Sequence, residues 1–220
     1  MPSFKNYYRT LYRNFGYPLT KNSAIPPNVI MSAEKQLGVS VPTALRDYYL
    51  VAGRESRFNK SHNRLLAPKD WNVDKKRLLF MEENQAVLWW GVSVRNPDTQ
   101  DPRVSKGHTE EPISWYREHH KCSVFLAVIL HYQAVCGGFR FRSSADIPDE
   151  INYQFEKQGW TYYGTVNSLM AFSRTNQVVC LMPSNGLPFM DNQWTVLIGA
   201  KTKRDLTAVE MELGLNFESY

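Results

Sequence analysis

The 220-residue sequence predicts an α+β fold. Two patterns carry that expectation. Apolar residues recur with a helical period through the first quarter of the chain, and from about residue 77 the period shortens to two, with short apolar runs. One apolar helix then interrupts the strands before more strands follow. Helices first and strands later is the α+β order, whereas α/β chains alternate the two.

The first helix rests on Phe4, Tyr7, Tyr8, Leu11, Tyr12 and Phe15, which fall on one continuous face. Ser3 is placed to cap it and Gly16 to end it. Such a stripe could line a partner groove, but burial against the domain's own core is its ordinary fate. After a connector over 18–27, a second helix is expected from Pro27 to Leu37, stopped by Gly38. A third begins at Val41-Pro42, since proline suits the first helical turn. It buries Leu45, Tyr48, Tyr49 and Ala52 and ends at Gly53.

Residues 54–64 are polar and read as a loop. Residues 77–81 and 86–94 read as strands around a Glu82-Glu83-Asn84 turn, the second apolar enough for a sheet interior. Residues 95–112 hold three prolines and a glycine, which predicts a long loop without regular structure. Loops of that length in compact domains tend to be functional or disordered. A helix is expected over 123–135, ended by Gly137-Gly138. Strands follow over 162–173, 178–182 and 194–198, with turns at Thr175-Asn176 and Ser184-Asn185-Gly186. A short helix is expected over 206–213 before Gly214. The chain shows no internal repeat, and it is expected to form a single domain over 1–220.

Composition bounds the function. Apolar residues make up 43% and charged residues 21%, close to ordinary globular usage. The net charge of +5 fits an acidic partner surface. The longest basic run is Lys75-Lys76-Arg77, with no interleaved aromatics to stack bases, so nucleic acid is not the expected partner. Cys122, Cys136 and Cys180 are odd in number and widely spaced, as free thiols of a reducing compartment are. The N-terminal residues do not read as a signal peptide, and the longest apolar stretch, 124–130, is too short to span a bilayer. Cytoplasm is the expected location, without a membrane partner.

No motif for chemistry emerges. His119, His120 and Cys122 are near neighbours, but adjacent residues point apart and the spacing is not that of a metal site. Neither a Gly-x-Ser-x-Gly motif nor a glycine-rich phosphate loop is present. The carboxylate pairs Glu82-Glu83, Glu110-Glu111 and Asp149-Glu150 lie in polar turns, whereas general acid–base work needs buried, coupled acids. The reading is a non-enzyme without metal or cofactor.

The stretch from Glu34 through Leu37-Gly38, Val41-Pro42, Leu45 and Tyr48 to Gly53 resembles the opening signature of the SMI1/KNR4 (SUKH) superfamily. Leu65-Leu66, Trp71, Leu79-Phe80, the run 86–94, Asp101-Pro102-Arg103-Val104 and the helix from Ser123 follow in the family's order. The resemblance covers about 28–182, and 1–26 is then an N-terminal helical extension. It implies a mostly antiparallel sheet packed with helices. It also implies an immunity protein of the bacterial type, which binds a cognate toxin and occludes it, or else a regulatory scaffold for a cellular signalling or wall-growth partner. Family members supply no catalytic residues to carry over.

Contact by occlusion rests on aromatic and arginine anchors. The candidates flank the two polar loops: Arg54, Arg57, Phe58, Arg103, Trp115 and Tyr116. Each also has an ordinary reading, the aromatics as core and the arginines as solvated charges.

Overall fold

The computed structural model describes residues 4–147, 155–184 and 193–219. Ser3, Asp149-Glu150 and most of the turn at 184–186 lie outside them. The class is α+β, with helices at the N-terminus and two antiparallel sheets. The chain divides into two compact units, the first formed by residues 4–9 and 19–126, the second by residues 10–18 and 127–219.

In the first unit, α1 (Phe4–Asn14) contributes its opening residues, α2 spans Pro27–Leu37 and α3 spans Thr43–Ala52. The ends of α2 were legible to the residue, whereas α3 starts at Thr43, with Pro42 capping it and not in its first turn. Gly38 adopts the left-handed conformation (φ 65°) that ends α2. The Glu34 carboxylate accepts from the Val41 amide (2.7 Å) and from Arg46, fixing the α2–α3 corner.

Tyr8, Tyr48 and Tyr49 are fully buried, and each hydroxyl is satisfied. Tyr8 donates to the Ala44 carbonyl (3.1 Å), Tyr48 to Asn59 Oδ1 (2.5 Å) and Tyr49 to the Leu66 carbonyl (2.5 Å). Trp71 Nε1 donates to the Tyr49 hydroxyl (3.2 Å). Residues 54–64, expected as loop, contain a one-turn helix, α4 (Ser56–Asn59). Polar composition hid it because its buried residues, Phe58 and Asn59, are only two.

The first sheet comprises β1 (Arg64–Leu65), β2 (Asn72–Asp74), β3 (Arg77–Glu82), β4 (Leu88–Ser93), β5 (Arg103–His108) and β6 (Ser114–Lys121). Its order is β1-β3-β4-β5-β6, with β2 also paired to β3. The expectation of an unstructured 95–112 fails at β5. The prolines bracket that strand and take none of its ladder positions. Leu78, Val92 and Val104 align across three strands on one face, all fully buried. The start of α5 (Cys122–Gln133) packs Phe125 against Phe80 and Trp90, at ring-centroid distances of 6.0 and 5.8 Å.

In the second unit, a π-helical turn over Ala134–Gly138 closes α5. The second sheet comprises β7 (Phe141–Ile147), β8 (Thr161–Val166), β9 (Leu169–Arg174), β10 (Gln177–Pro183), β11 (Trp194–Ala200) and, after helix α6 (Lys203–Leu213), β12 (Glu218–Ser219). Its order is β12-β7-β11-β10-β9-β8. The run 162–173 is thus a hairpin, turned at Asn167-Ser168, where both residues have positive φ. Leu206, Val209 and Leu213 of α6 join Val179, Val196 and Ile198 in one core. Thr202 caps α6, and Arg174 pairs with Glu212 while lying 4.2 Å from the Trp160 ring centroid. Leu11, Tyr12 and Phe15 of the N-terminal stripe are fully buried, so these residues are core. Phe15 packs edge-on against His131 (4.9 Å) and Phe139 (6.0 Å).

Candidate functional site

The outer face of the first sheet, opposite Leu78, Val92 and Val104, is organised by one side chain. Trp115 of β6 pairs with Gly107 of β5, and its ring reaches over that glycine to Gly91 of β4. A Cβ built on Gly91 would lie 2.9 Å from the indole, and one built on Gly107 would lie 3.0 Å from it. The two glycines therefore form a seat no other residue leaves open. The indole N–H donates to Asp74 Oδ2 of β2 (2.5 Å), and the Arg77 guanidinium of β3 lies over the ring, 5.2 Å from its centroid. Trp115 thus ties its own strand to four others across the sheet.

Beside this floor is an open cleft of about 580 Å³. Five cations line it: Lys76, Arg77, Arg95, Arg103 and Lys121. The strands dictate the clustering. Arg77 pairs with Ser93 across β3–β4, and Arg103 pairs with Lys121 across β5–β6. Lys76 sits in the two-residue β2–β3 turn, where Lys75 and Lys76 have φ of 44° and 62°. That turn favours Asn-Gly, so two lysines there hold charge at a cost in backbone strain.

Among the described residues, Asp101 is the one carboxylate in the lining, and its oxygens are engaged. It accepts from the Ser123 amide (2.9 Å) and from the Ser123 hydroxyl (2.6 Å), capping α5 from a distant part of the chain. Arg103 donates to the His119 carbonyl. Among the described residues, none of the five cations is in an ion pair with a carboxylate. Burial lowers the pKa of Arg77, and the neighbouring Arg95 charge lowers it further, while Asp74 opposes both. The cleft therefore holds mutually repelling positive charges, which a bound anion would relieve.

The six residues expected to make contact divide. Arg103 lines the cleft, whereas Trp115 lies beside it, under the lining residue Arg77. Tyr116 is 54% exposed but, by strand alternation, faces away from Trp115, with its ring 5.6 Å from that of His108. Arg54 and Arg57 are exposed on the segment between α3 and β1, and neither lines the cleft. Phe58 corrects the expectation: it is fully buried beneath α4 and presents no surface to a partner. Sequence reasoning missed Lys76, Arg77, Arg95 and Lys121. The run 75–77 is visible in the sequence, but without β5 nothing places it beside Arg103 and Lys121.

The thiols show one physical pattern. Burial raises the pKa of Cys122, Cys136 and Cys180, which holds them protonated and poorly nucleophilic. His119 and His120 lie near the end of β6, while Cys122 is fully buried at the start of α5. Among the described residues, no group of three His, Cys, Asp or Glu side chains could hold a metal ion. Among the same residues, no helix is long and apolar enough to cross a membrane.

Compared with family models, curated proteins and solved structures, the chain matches none.

Proposed function

We propose that the chain is an immunity protein that neutralises a cognate protein toxin by direct binding and occlusion, without chemistry of its own. The observation that carries this reading is the open cleft of five cations on a stiff, tryptophan-pinned sheet face. Arginines on a rigid floor are favourable contact anchors, because little side-chain freedom is lost on binding. The similarity of 34–53 and the motifs after it to the SMI1/KNR4 superfamily supplies the toxin as partner. Three free cysteines support a reducing compartment, and the reading places the chain in the cytoplasm.

The test is to purify the tagged chain from its native cells, identify what accompanies it, and co-express the two. Immunity requires a stoichiometric partner whose toxicity disappears in the presence of the chain. A non-toxic signalling or wall-growth protein in that position would establish the scaffold reading instead.

A further inference from the structure

Resting on that reading, we infer that the cleft on the first sheet receives the carboxylate side chains of an acidic segment of the partner protein. Charge complementarity is the first argument. Among the described residues, the lining carries five cations against one carboxylate, and that carboxylate is committed to the Ser123 amide and hydroxyl. An incoming anion therefore meets guanidinium and ammonium donors that the lining's own described carboxylate does not occupy. Carboxylates suit the guanidinium fork, which binds them with two parallel hydrogen bonds.

The floor separates an acidic peptide from a nucleic acid. Single-stranded nucleic acid is held by a basic groove together with aromatic faces on which bases stack. The aromatic ring beside this cleft is already engaged. Trp115 rests on Gly91 and Gly107, and the Arg77 guanidinium lies over it. The uncharged lining consists of Ser93, Asn96, Thr99, Pro102 and Ser105, none of which offers a stacking surface. Point anions on a flexible peptide fit such a lining, whereas bases would find no platform.

The experiment titrates the full chain with an Asp/Glu decapeptide and, separately, with a thymidine decanucleotide. The variant Arg95→Glu/Arg103→Glu/Lys121→Glu reverses the cleft. The variant Arg54→Glu/Arg57→Glu/Lys60→Glu makes the same charge change outside it. The inference expects the peptide to bind more tightly than the oligonucleotide, with affinity reduced roughly tenfold or more by cleft reversal. The control variant should change it by less than about twofold. Circular dichroism checks folding, and Arg95→Gln/Lys121→Gln, which lowers the charge without reversing it, should give a smaller loss in the same direction. Tighter oligonucleotide binding, equal losses in the two triple variants, or no peptide binding overturns the inference. Its failure is separable from that of the immunity reading. A cleft-reversed chain that still neutralises the toxin sinks only the acidic-segment inference. Cleft-dependent peptide binding without any neutralised toxin sinks only the immunity reading.

Discussion

His131 shows how a single buried polar residue sets a pH limit. Its Nδ1 hydrogen bonds with the Ala127 carbonyl (2.7 Å), its Nε2 has no hydrogen-bond partner, and Phe15 and Tyr163 pack on the ring. Burial lowers its pKa from 6.5 to about 4, with the Ala127 bond opposing the shift. Above pH 6.5 the ring is neutral whether the chain is folded or not, so the native state bears no protonation penalty. As pH falls from 6.5 towards 4, the unfolded chain takes up a proton that the folded chain refuses. Stability should fall by roughly 3 kcal/mol over that window. His131→Leu should remove most of that acid-side loss, as read from urea midpoints at neutral and at mildly acidic pH. Trp115 gives a second prediction. Gly91→Ala would place a methyl 2.9 Å from the indole, so the ring must shift. The variant should lose about 1–3 kcal/mol and alter the near-ultraviolet dichroism of tryptophan. The buried tyrosines of α3 were legible from helical spacing. The seat of Trp115 was not, because it depends on two glycines in strands distant in sequence.

At the scale of elements, legibility followed the strength of local signals. Proline and glycine punctuation gave α2 and α3 within two residues of their ends. Strand β5 was hidden because its burial comes from elsewhere: Ser105 and Gly107 are covered, yet Val104 is its one large apolar side chain. Strand β6, Ser-Trp-Tyr-Arg-Glu-His-His-Lys, lacks an apolar alternation for the same reason. β7 was not anticipated either, since Arg142, Ser143, Ser144 and Asp146 leave no apolar run there, and the strand forms by pairing with β11. The start of α5 depends on Asp101, twenty-two residues before the Ser123 groups it binds. Asp101→Ala should cost about 1–2 kcal/mol, visible as a lower urea midpoint at unchanged slope. Asp101→Asn should recover part of it, since an amide oxygen can still accept from Ser123.

Across the molecule, the modest charge of +5 conceals its distribution. Five cations converge on one cleft, although they are spread over residues 76–121 and come from three strands and two connecting segments. The α+β class and the N-terminal helices were readable from the order of periodicities, whereas the convergence was not, because it requires strand register. Of the six contact residues expected from sequence, Arg103 and Trp115 belong to this face, and Phe58 belongs to the core. The measurement that bears most directly on the central claim compares two chains in toxin-exposed cells. One is unaltered, and the other carries Arg95→Glu/Arg103→Glu/Lys121→Glu. The account predicts that the toxin co-purifies with the unaltered chain, that those cells grow, and that the cleft-reversed chain loses both partner and protection while remaining folded. Equal capture and equal protection by the two chains would contradict it.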